Sequence, residues 1–347
     1  MAPPTTEESD IPVLPVSTEI SYLSEGAANI VYRISVPLST PPPSEIEEFR
    51  DGTPPPSEIE VFENGGDLRI FDKKLLRLRK NLPTTLPCSL SQQNWERLLV
   101  PLFHADNLVK QTLVDLRPSN IISRLNSELR TWEQQPHPNR PSKRHGTYLA
   151  PDPYGLLVVD MTPSPTTQLL EFKPKWLLQS PSAPPKSIRC RQCARHAQLT
   201  SLSPSNPPPP TFCPLDLIHS PSRAVPFITS DPVLAAHLTK WLQPSPLLTQ
   251  LRDAQKAMDP FGALGDEATG EKFCLAMTLR DCTVFLRLKG GEGEVEARLG
   301  DLDLKSAEKV GYWREVERGL VDGGWYEGTE KAGRKGDVLC AVGRGIK

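Results

Sequence analysis

The chain has 347 residues, 38 of them prolines, and a formal net charge of -2. This length suffices for two domains. The near-neutral charge excludes a general attraction to nucleic acid or to an anionic membrane, so any polyanion has to meet a local basic cluster. Seven scattered cysteines without a secretory signal favour a reducing compartment with free thiols. No apolar run approaches membrane-spanning length, and we expect a soluble intracellular protein.

The N-terminal part predicts a short tail followed by a β-hairpin. Residues 1–15 are acidic and rich in proline, serine and threonine, which indicates a disordered tail. Residues 20–34 read as strand, turn and strand, with a turn of small residues beginning at Gly26. Turn amides in such a place fit a phosphate, and they also fit an ordinary hairpin.

A short duplication follows the hairpin. Residues 40–49 recur almost unchanged as residues 53–62, and both copies are acidic and rich in proline. A solenoid needs longer repeats and more copies, so residues 38–66 are predicted to be a disordered insert.

The next segments predict a strand, a helical region and a buried strand. Residues 72–80 alternate between apolar and basic, which predicts a strand with Arg77 and Arg79 on one face and leucines on the other. Residues 92–132 have apolar residues at helical spacing. Residues 155–159 are continuously apolar, which is typical of a buried strand.

The pentapeptide Glu171–Lys175 places one carboxylate and two ammonium groups in five residues. In an extended segment the side chains of Glu171, Lys173 and Lys175 project to one face. The two lysines repel each other unless an anion lies between them. The same pattern also fits a solvated edge strand.

Residues 187–196 are strongly basic and contain a C-x-x-C-x-x-H pattern. A structural zinc site normally needs four ligands. Because the other cysteines are dispersed along the sequence, we expect no zinc here. We expect the basic residues of the segment to face an anion, namely Arg189, Arg191, Arg195 and His196.

The C-terminal part predicts helices, then strands, then a final helix. Residues 232–256 indicate two helices broken at Pro244 and Pro246. Residues 274–279 and 281–288 read as strands, and residues 295–299 are placed to pair back. The last helix is predicted to carry three residues at a spacing of four on one face: Lys305, Lys309 and Trp313.

These pieces share one chemistry. Basic residues recur on strand or helix faces, and Asp281 and Asp301 stand at strand ends. Phosphoryl transfer needs cations for the phosphates, a carboxylate for Mg²⁺ and a carboxylate for the nucleophile. Neither a Walker P-loop nor a full protein-kinase signature is present. Taken singly, the lysines also fit a solvated helix face and Asp301 fits a helix N-cap.

Eight short motifs in order resemble the inositol-pentakisphosphate 2-kinase family, in its fungal form: E-G-A-A-N, L-R-L-R-K, R-P, E-F-K-P-K, C-R-Q-C-A-R-H, P-L-D-L, R-D-C-T-V and D-L-D-L-K. They run from about residue 20 to about residue 320. The resemblance implies ATP-dependent phosphorylation of the 2-hydroxyl of inositol 1,3,4,5,6-pentakisphosphate. It also implies an α+β, two-lobed inositol phosphate kinase-like fold. Residues 16–150 would form an antiparallel-sheet N-lobe, and residues 151–347 a larger α/β C-lobe with a helical inositide-binding part.

The resemblance also implies a role for each matching residue. The nucleotide contacts would be Gly26, Ala27, Ala28, Asn29, Arg77, Asp160, Met161 and Glu171. The substrate contacts would be Arg140, Lys175, His196, Lys305, Lys309 and Trp313, with Tyr312 as a rival for the last. In catalysis, Lys173 would bind the phosphate in transfer, Asp281 would be the base for the 2-hydroxyl, and Asp301 would hold Mg²⁺.

Some features depart from the family pattern. Thr200 stands where plant members have a lysine, the asparagine expected after P-L-D-L has no clear counterpart, and the plant zinc site has no clear equivalent. We expect ATP and Mg²⁺ without zinc, and a monomer in the nucleus or cytoplasm that binds neither nucleic acid nor membrane. Two alternatives stay open: a non-catalytic inositide-binding protein, and a kinase for another inositol hydroxyl. Asp281 and Asp301 argue against the first, and the absence of a P-x-x-x-D-x-K-x-G box argues against the second.

Overall fold

The chain folds into two compact units. The structure, a computed structural model, describes residues 11–37, 68–135, 140–266, 268–289, 295–329 and 340–346. The N-terminal unit comprises residues 1–92 and 111–160, and the C-terminal unit comprises residues 93–110 and 161–347. The division at residue 160 differs from the predicted boundary at residue 150, because the strand after residue 150 is part of the first sheet.

The N-terminal unit is built on one antiparallel sheet. Its strands are β1 (Glu19–Glu25), β2 (Asn29–Ser35), β3 (Lys74–Arg79), β4 (Gln111–Asp115) and β5 (Tyr154–Val159). They lie in the order β1-β2-β3-β5-β4. The predicted hairpin, basic strand and buried strand are therefore confirmed. The predicted insert at residues 38–66 lies outside the described residues.

One face of this sheet packs against a helix. Residues such as Ile30, Leu76 and Leu78 project from the sheet at alternate strand positions and form a core with Leu125 and Leu129 of helix α2 (Ile121–Glu133). Arg77 lies on the opposite face, as the alternation predicted. It is buried there, and its guanidinium donates to Gln111 Oε1 at 3.0 Å.

Two local predictions about this part of the chain were wrong. The region 92–132 is not continuously helical: helix α1 (Cys88–Asn94) continues as a π-helical turn (Trp95–Leu99), and β4 lies before α2. The five residues of β4 are extended because they pair with β5. The disordered tail was predicted too long, because Leu14 is buried and its amide donates to Asp115 O at 2.9 Å.

The C-terminal unit combines a three-stranded sheet with most of the helices. The strands are β6 (Thr167–Phe172), β7 (Thr283–Lys289) and β8 (Val295–Gly300), in the order β6-β7-β8. The helices are α3 (Arg191–Leu202), α4 (Asp216–His219), α5 (Pro221–Ala224), α6 (Pro232–Leu242), α7 (Pro246–Met258), α8 (Glu271–Leu279) and α9 (Val310–Asp322). The predicted pairing of β7 with β8 is confirmed, with Thr283 opposite Gly300.

Prolines and caps explain the helix pair α6 and α7. Each helix begins with proline, and the Asp231 carboxylate and the Ser245 hydroxyl accept amide hydrogens of the respective first turns. The two predicted helices are thus confirmed. The strand predicted at residues 274–279 is wrong: the segment belongs to α8, whose residues 273–279 are all buried and therefore show no amphipathic stripe that would reveal the helical period. Within the described part of the chain, no helix combines the length and apolarity needed to cross a membrane.

A buried ion cluster fastens the β1–β2 turn to the sheet. Glu25, Lys80 and Arg140 have fully buried side chains, and the Glu25 carboxylate pairs with both cations. Lys80 Nζ also donates to Gly26 O at 2.8 Å. Arg140 Nε donates to Glu25 Oε1 at 2.7 Å, and its other nitrogens bond Glu133 and Thr147 O. Burial would raise the pKa of Glu25, but the hydrogen bonds from Arg140 and Lys80 hold that pKa below its usual value.

This cluster gives Arg140 a structural role. Its guanidinium is bonded to protein partners and is 1% exposed, so a contact with substrate would require those bonds to break. The predicted substrate contact of Arg140 therefore has no support in the structure.

Replacing Glu25 tests how much the cluster contributes. Glu25→Gln leaves Lys80 buried without its carboxylate partner and Arg140 with Glu133 alone, and removing one partner of a buried pair costs about 3–5 kcal/mol. We expect the free energy of unfolding in urea to fall by about that amount. The control is Glu128→Gln, which removes an exposed pair with Arg124 and should change stability by no more than about 1 kcal/mol. Equal effects of both substitutions would contradict the assigned role.

Candidate active site

Only the first two residues of the pentapeptide Glu171–Lys175 belong to the sheet. Strand β6 ends at Phe172, whose ring is buried in the core of the C-terminal unit. Lys175 has a left-handed backbone with φ 57°, which an L-residue adopts only when its surroundings enforce it. The prediction of one extended segment from Glu171 to Lys175 is therefore wrong, although the two lysine amines still converge.

The anion between the two lysines is the carboxylate of Asp281. Lys175 Nζ lies 3.0 Å from Asp281 Oδ1, and Lys305 Nζ lies 2.7 Å from Oδ2. Lys173 Nζ donates to the backbone oxygen of Asp281 at 2.7 Å and lies 3.5 Å from Oδ1. Three predicted site lysines thus surround one predicted catalytic carboxylate, and we call these four residues the lysine–aspartate cluster.

The cluster strongly shifts the acidity of Asp281. Burial alone would raise its pKa, but the hydrogen bond from Lys305 and the positive charges of Lys175 and Lys305 hold the pKa well below its usual value. Asp281 is therefore ionised and a weak base while the lysines are in place.

A second carboxylate stands beside the cluster. Asp301 Oδ2 lies 3.7 Å from Lys173 Nζ and accepts a hydrogen bond from the Thr283 hydroxyl at 2.5 Å. Asp301 also has a left-handed backbone, with φ 55°. The pKa of Glu171 is raised, first by the loss of water around it and then by the negative charge of Asp301. Mg²⁺ prefers hard oxygen ligands, and the carboxylates of Glu171 and Asp301 are of this kind. The side chain of Asp301 is more than half exposed.

Gln255 of α7 fixes the backbone of the cluster. Its amide nitrogen donates to Lys175 O at 2.9 Å and to Leu279 O at 3.2 Å, and its oxygen accepts from Leu177 N at 3.1 Å. The side chain is fully buried. It thereby ties the lysine segment to the end of α8, two residues before Asp281. Gln255 is not among the predicted site residues. Its signal in the sequence is a polar residue on the otherwise apolar face of α7.

Trp176 anchors the other end of the lysine segment. Its ring lies between two guanidinium groups, with Arg280 Cζ at 3.7 Å and Arg191 Cζ at 4.4 Å from the ring centroid. Arg280 is paired with Asp259 at 2.6 Å, and Arg191 is paired with buried Glu317 at 2.7 Å.

These contacts correct the anion site predicted at residues 187–196. Arg191 is buried against Trp176 and Glu317, and Arg189 is buried and donates to Trp325 O at 3.0 Å. Arg195 donates to Gln198. His196 bonds Pro209 O through Nε2 at 3.0 Å, and its inositide contact stays a prediction. Arg189 and Arg191 were misassigned because their carbonyl and acidic partners are more than 100 residues away in the sequence.

The predicted helix face of Lys305, Lys309 and Trp313 does not form. Helix α9 begins at Val310, so Lys305 lies in the preceding loop and Lys309 at the N-cap. Trp313 is 8% exposed and packs edge-on against Phe273, whereas Tyr312 is 57% exposed. Of the three, Lys305 joins the lysine–aspartate cluster. Tyr312 is the more exposed of the two rival aromatic residues, and the substrate contact of either one stays a prediction.

Four of the cysteines that are dispersed along the sequence nevertheless meet in the fold. Cys190, Cys193, Cys213 and Cys340 bring their sulfur atoms within 4.8 Å of one another. We call these residues the four-cysteine cluster. Folding gathers them across as many as 150 residues of sequence, which spacing alone does not reveal.

The N-terminal unit carries most of the predicted nucleotide residues, and their roles stay predictions. In the turn Gly26–Asn29, the Gly26 amide donates to Asn29 O at 2.9 Å, and the space around the Gly26 α-carbon is open. Asp160 helps to line a cleft of about 550 Å³ and lies 3.9 Å from Arg33. In the C-terminal unit, Met161 is buried and its sulfur accepts from Arg287 at 3.4 Å.

Comparisons with known proteins agree on one family. A family model described as inositol-pentakisphosphate 2-kinase matches residues 22–230 and 223–319. A curated protein of that name from Yarrowia lipolytica is 32% identical over 204 residues, which cover 51% of this chain and 66% of the relative. The protein of that name from Eremothecium gossypii is 30% identical over 161 residues, 43% of this chain and 53% of the relative. The protein of that name from Kluyveromyces lactis is 30% identical over 172 residues, which cover 47% of this chain and 52% of the relative. The matches thus span between half and two thirds of these relatives.

The charge state of Asp281 has a measurable consequence for stability. Because its folded-state pKa is lowered, the ionised carboxylate contributes stability in full above the ordinary aspartate pKa of about 3.9. That contribution is lost as the pH falls through the lower, folded-state pKa. We expect Asp281→Asn to lower the free energy of unfolding at pH 6, and we expect the difference from the unmodified protein to narrow below about pH 4.

Urea unfolding between about pH 3 and pH 6 measures this difference. The control is Asp253→Asn, since Asp253 is an exposed aspartate beside Arg252. The control should show little difference at any pH. A difference for Asp281→Asn that does not depend on pH would contradict the assigned ion pairs.

Proposed function

The chain belongs to the inositol-pentakisphosphate 2-kinase family, and on that premise we propose that it transfers the γ-phosphate of ATP to the 2-hydroxyl of inositol 1,3,4,5,6-pentakisphosphate. The product is inositol hexakisphosphate. The observation that carries the proposal is the lysine–aspartate cluster with Asp301 beside it. Phosphoryl transfer relies on positioning and charge more than on covalent chemistry by the protein, and this cluster supplies both signs of charge.

The lysines suit a substrate of very high negative charge. Five phosphates carry roughly 8–10 negative charges at neutral pH, whereas the chain has a net charge of only -2. Lys175 and Lys305 keep 32% and 27% of their side-chain surface exposed, so their amines are accessible to a phosphate. Each lysine–phosphate contact is a charge-assisted hydrogen bond worth about 1.5–3 kcal/mol.

Substrate binding then changes the basicity of Asp281. When phosphates compete for Lys175 and Lys305, the carboxylate loses the charges that keep its pKa low. Its pKa rises, and it becomes a stronger base when a substrate hydroxyl lies next to it. Asp281 thus becomes an effective base for the 2-hydroxyl only after the substrate phosphates have taken its lysine partners.

Lys173 and the second carboxylate act on the phosphate being moved. Lys173 lies between the Asp281 and Asp301 carboxylates, so its amine is held at the place where charge shifts between nucleophile and leaving group. Asp301, with Glu171 nearby, is the residue that would hold Mg²⁺. A bound Mg²⁺ neutralises charge on the phosphate oxygens.

A turnover assay with ATP, Mg²⁺ and inositol 1,3,4,5,6-pentakisphosphate tests the proposal. We expect inositol hexakisphosphate as the product, identified by chromatography. The Asp281→Ala variant should lose at least about 10²–10⁴-fold in kcat, because it lacks the base. It should still bind the pentakisphosphate in calorimetry, since the three lysines remain.

The matched control is Asp253→Ala, which removes an exposed aspartate of α7 and should keep the normal rate. Binding without turnover by the unmodified protein would favour a non-catalytic inositide-binding protein instead. Turnover only of substrates with another free hydroxyl would reassign the acceptor. A near-normal rate of Asp281→Ala would show that another group is the base.

Replacing Lys175 separates the substrate site from the nucleotide site. Lys175→Ala should weaken binding of the pentakisphosphate by about 10–100-fold, the value of one charge-assisted contact. ATP binding should change much less. Calorimetric titration with each ligand measures both, and Lys256→Ala, an exposed lysine of α7, is the control. A larger loss of ATP affinity would assign Lys175 to the nucleotide.

A further inference from the structure

Two neighbouring contacts join the lysine segment to the end of α8. Lys175 and Trp176 are consecutive residues, and so are Arg280 and Asp281. Lys175 Nζ lies 3.0 Å from Asp281 Oδ1, and Arg280 Cζ lies 3.7 Å from the centroid of the Trp176 ring. We call the second contact the Trp176–Arg280 stack. Each partner in one contact is covalently adjacent to a partner in the other, so a movement of the stack also moves the ion pair.

The two contacts differ in their exposure to water. The side chains of Lys175 and Asp281 are partly exposed, and an ion pair that water reaches is weak and easily exchanged. Trp176 and Arg280 are buried, and a cation–π contact is stronger when water is excluded from it. The stack is therefore the more permanent of the two contacts.

The buried guanidinium of Arg280 depends on the ring. Its Nη1 donates to Asp259 Oδ2 at 2.6 Å. Within the described ranges, its Nε and Nη2 have no hydrogen-bond partner. Unpaired donors on a buried charge are costly, and the electron-rich face of the indole offsets part of that cost. Trp176 thus helps to orient the residue that directly precedes Asp281.

The ring itself is held by a second arginine. Arg191 Cζ lies 4.4 Å from the ring centroid, and Arg191 Nε donates to Glu317 at 2.7 Å. The buried Glu317 carboxylate also accepts from the hydroxyl groups of Ser180 and Tyr326. An indole between two arginines that are themselves paired is locked in one orientation, which is what the support of a catalytic group requires.

Substrate binding makes the stack necessary. In the proposed reaction, phosphates take Lys175 and Lys305 from the Asp281 carboxylate. Asp281 then loses the ion pairs that hold its side chain in the empty site. The stack contains no exposed amine for which a phosphate competes, so it persists when the substrate is bound.

The stack complements the hydrogen bonds of Gln255. Gln255 binds the backbone oxygens of Lys175 and Leu279, which lie one residue before Trp176 and one residue before Arg280. The stack adds an attachment at the next residue of each segment. With two attachments in succession, the segments cannot turn about a single point.

We propose that Trp176 and Arg280 are positioning residues that keep the Asp281 carboxylate in place while the substrate phosphates occupy its lysine partners. This inference rests on the proposed function, in which Asp281 accepts the proton of the 2-hydroxyl. A misplacement of about 1 Å in an active site can lower the rate by about 100-fold. The loss appears in kcat, because the position of the base matters in the transition state and not in the binding of the ground state.

Steady-state kinetics test the proposal. Trp176→Leu removes the aromatic face, and we expect kcat with the pentakisphosphate to fall by about 10–100-fold while KM changes by less than about threefold. Trp176→Phe keeps an aromatic face and should restore most of the rate. The control is Trp132→Leu, which removes a tryptophan of the N-terminal unit and should keep the normal kcat. A normal kcat of Trp176→Leu, or equal losses in the Leu and Phe variants, overturns the proposal.

If Trp176→Leu does not fold, Arg280→Lys gives the answer. Lysine keeps a positive charge for Asp259 but lacks the planar group that stacks on the ring. We expect Arg280→Lys to lower kcat by at least about 10-fold with little change in KM. A normal kcat of this variant overturns the proposal.

A measurement that needs no turnover separates this proposal from the proposed function. Near neutral pH, Asp281→Asn should lower the urea midpoint of the unmodified protein. In the Trp176→Leu or Arg280→Lys background the same substitution should lower the midpoint less, because Lys175 is no longer held beside Asp281. Equal shifts in both backgrounds overturn the positioning role. Unequal shifts in a protein that forms no inositol hexakisphosphate refute the proposed function alone and support the coupling of the stack to Asp281.

Discussion

The electrostatic balance around Asp281 is the constraint on which the C-terminal unit depends. Two like charges about 4 Å apart near a protein surface repel by about 4 kcal/mol, so three lysine amines do not gather without a counter-charge. Asp281 supplies it, with Lys175 and Lys305 at 3.0 Å and 2.7 Å from its oxygens. The same carboxylate that keeps the empty site stable is the group that the proposed reaction needs as a base.

Rigid neighbours hold this balance in place. Gln255 binds the backbone on both sides of the cluster, and Trp176 is clamped between two arginines that are themselves paired with acidic residues. Lys175 and Asp301 keep left-handed backbones that would not persist without such support. The left-handed backbones of Lys175 and Asp301 and the buried hydrogen bonds of Gln255 are typical of a site organised in advance of its ligand.

The two units use buried polar groups in a similar way. In the N-terminal unit, Glu25 pairs with both Lys80 and Arg140 and fixes the turn that follows it. In the C-terminal unit, Gln255 ties the lysine segment to the end of α8. In both places a short segment is held by a buried polar side chain, because small turns and helix ends bury too little apolar surface to hold themselves.

The sequence by itself determined the strands with clear alternation, the helices bounded by proline and caps, and the order of motifs that identifies the family. It also placed Lys173, Lys175, Asp281 and Asp301 among the candidate site residues, because local patterns and short motifs lie within a few residues. Only the tertiary structure decided which groups meet. The partner of Lys175 is 106 residues away, the four cysteines converge across 150, and Arg140 is buried by Glu25 from 115 residues away. No local period encodes such contacts, since they follow from packing.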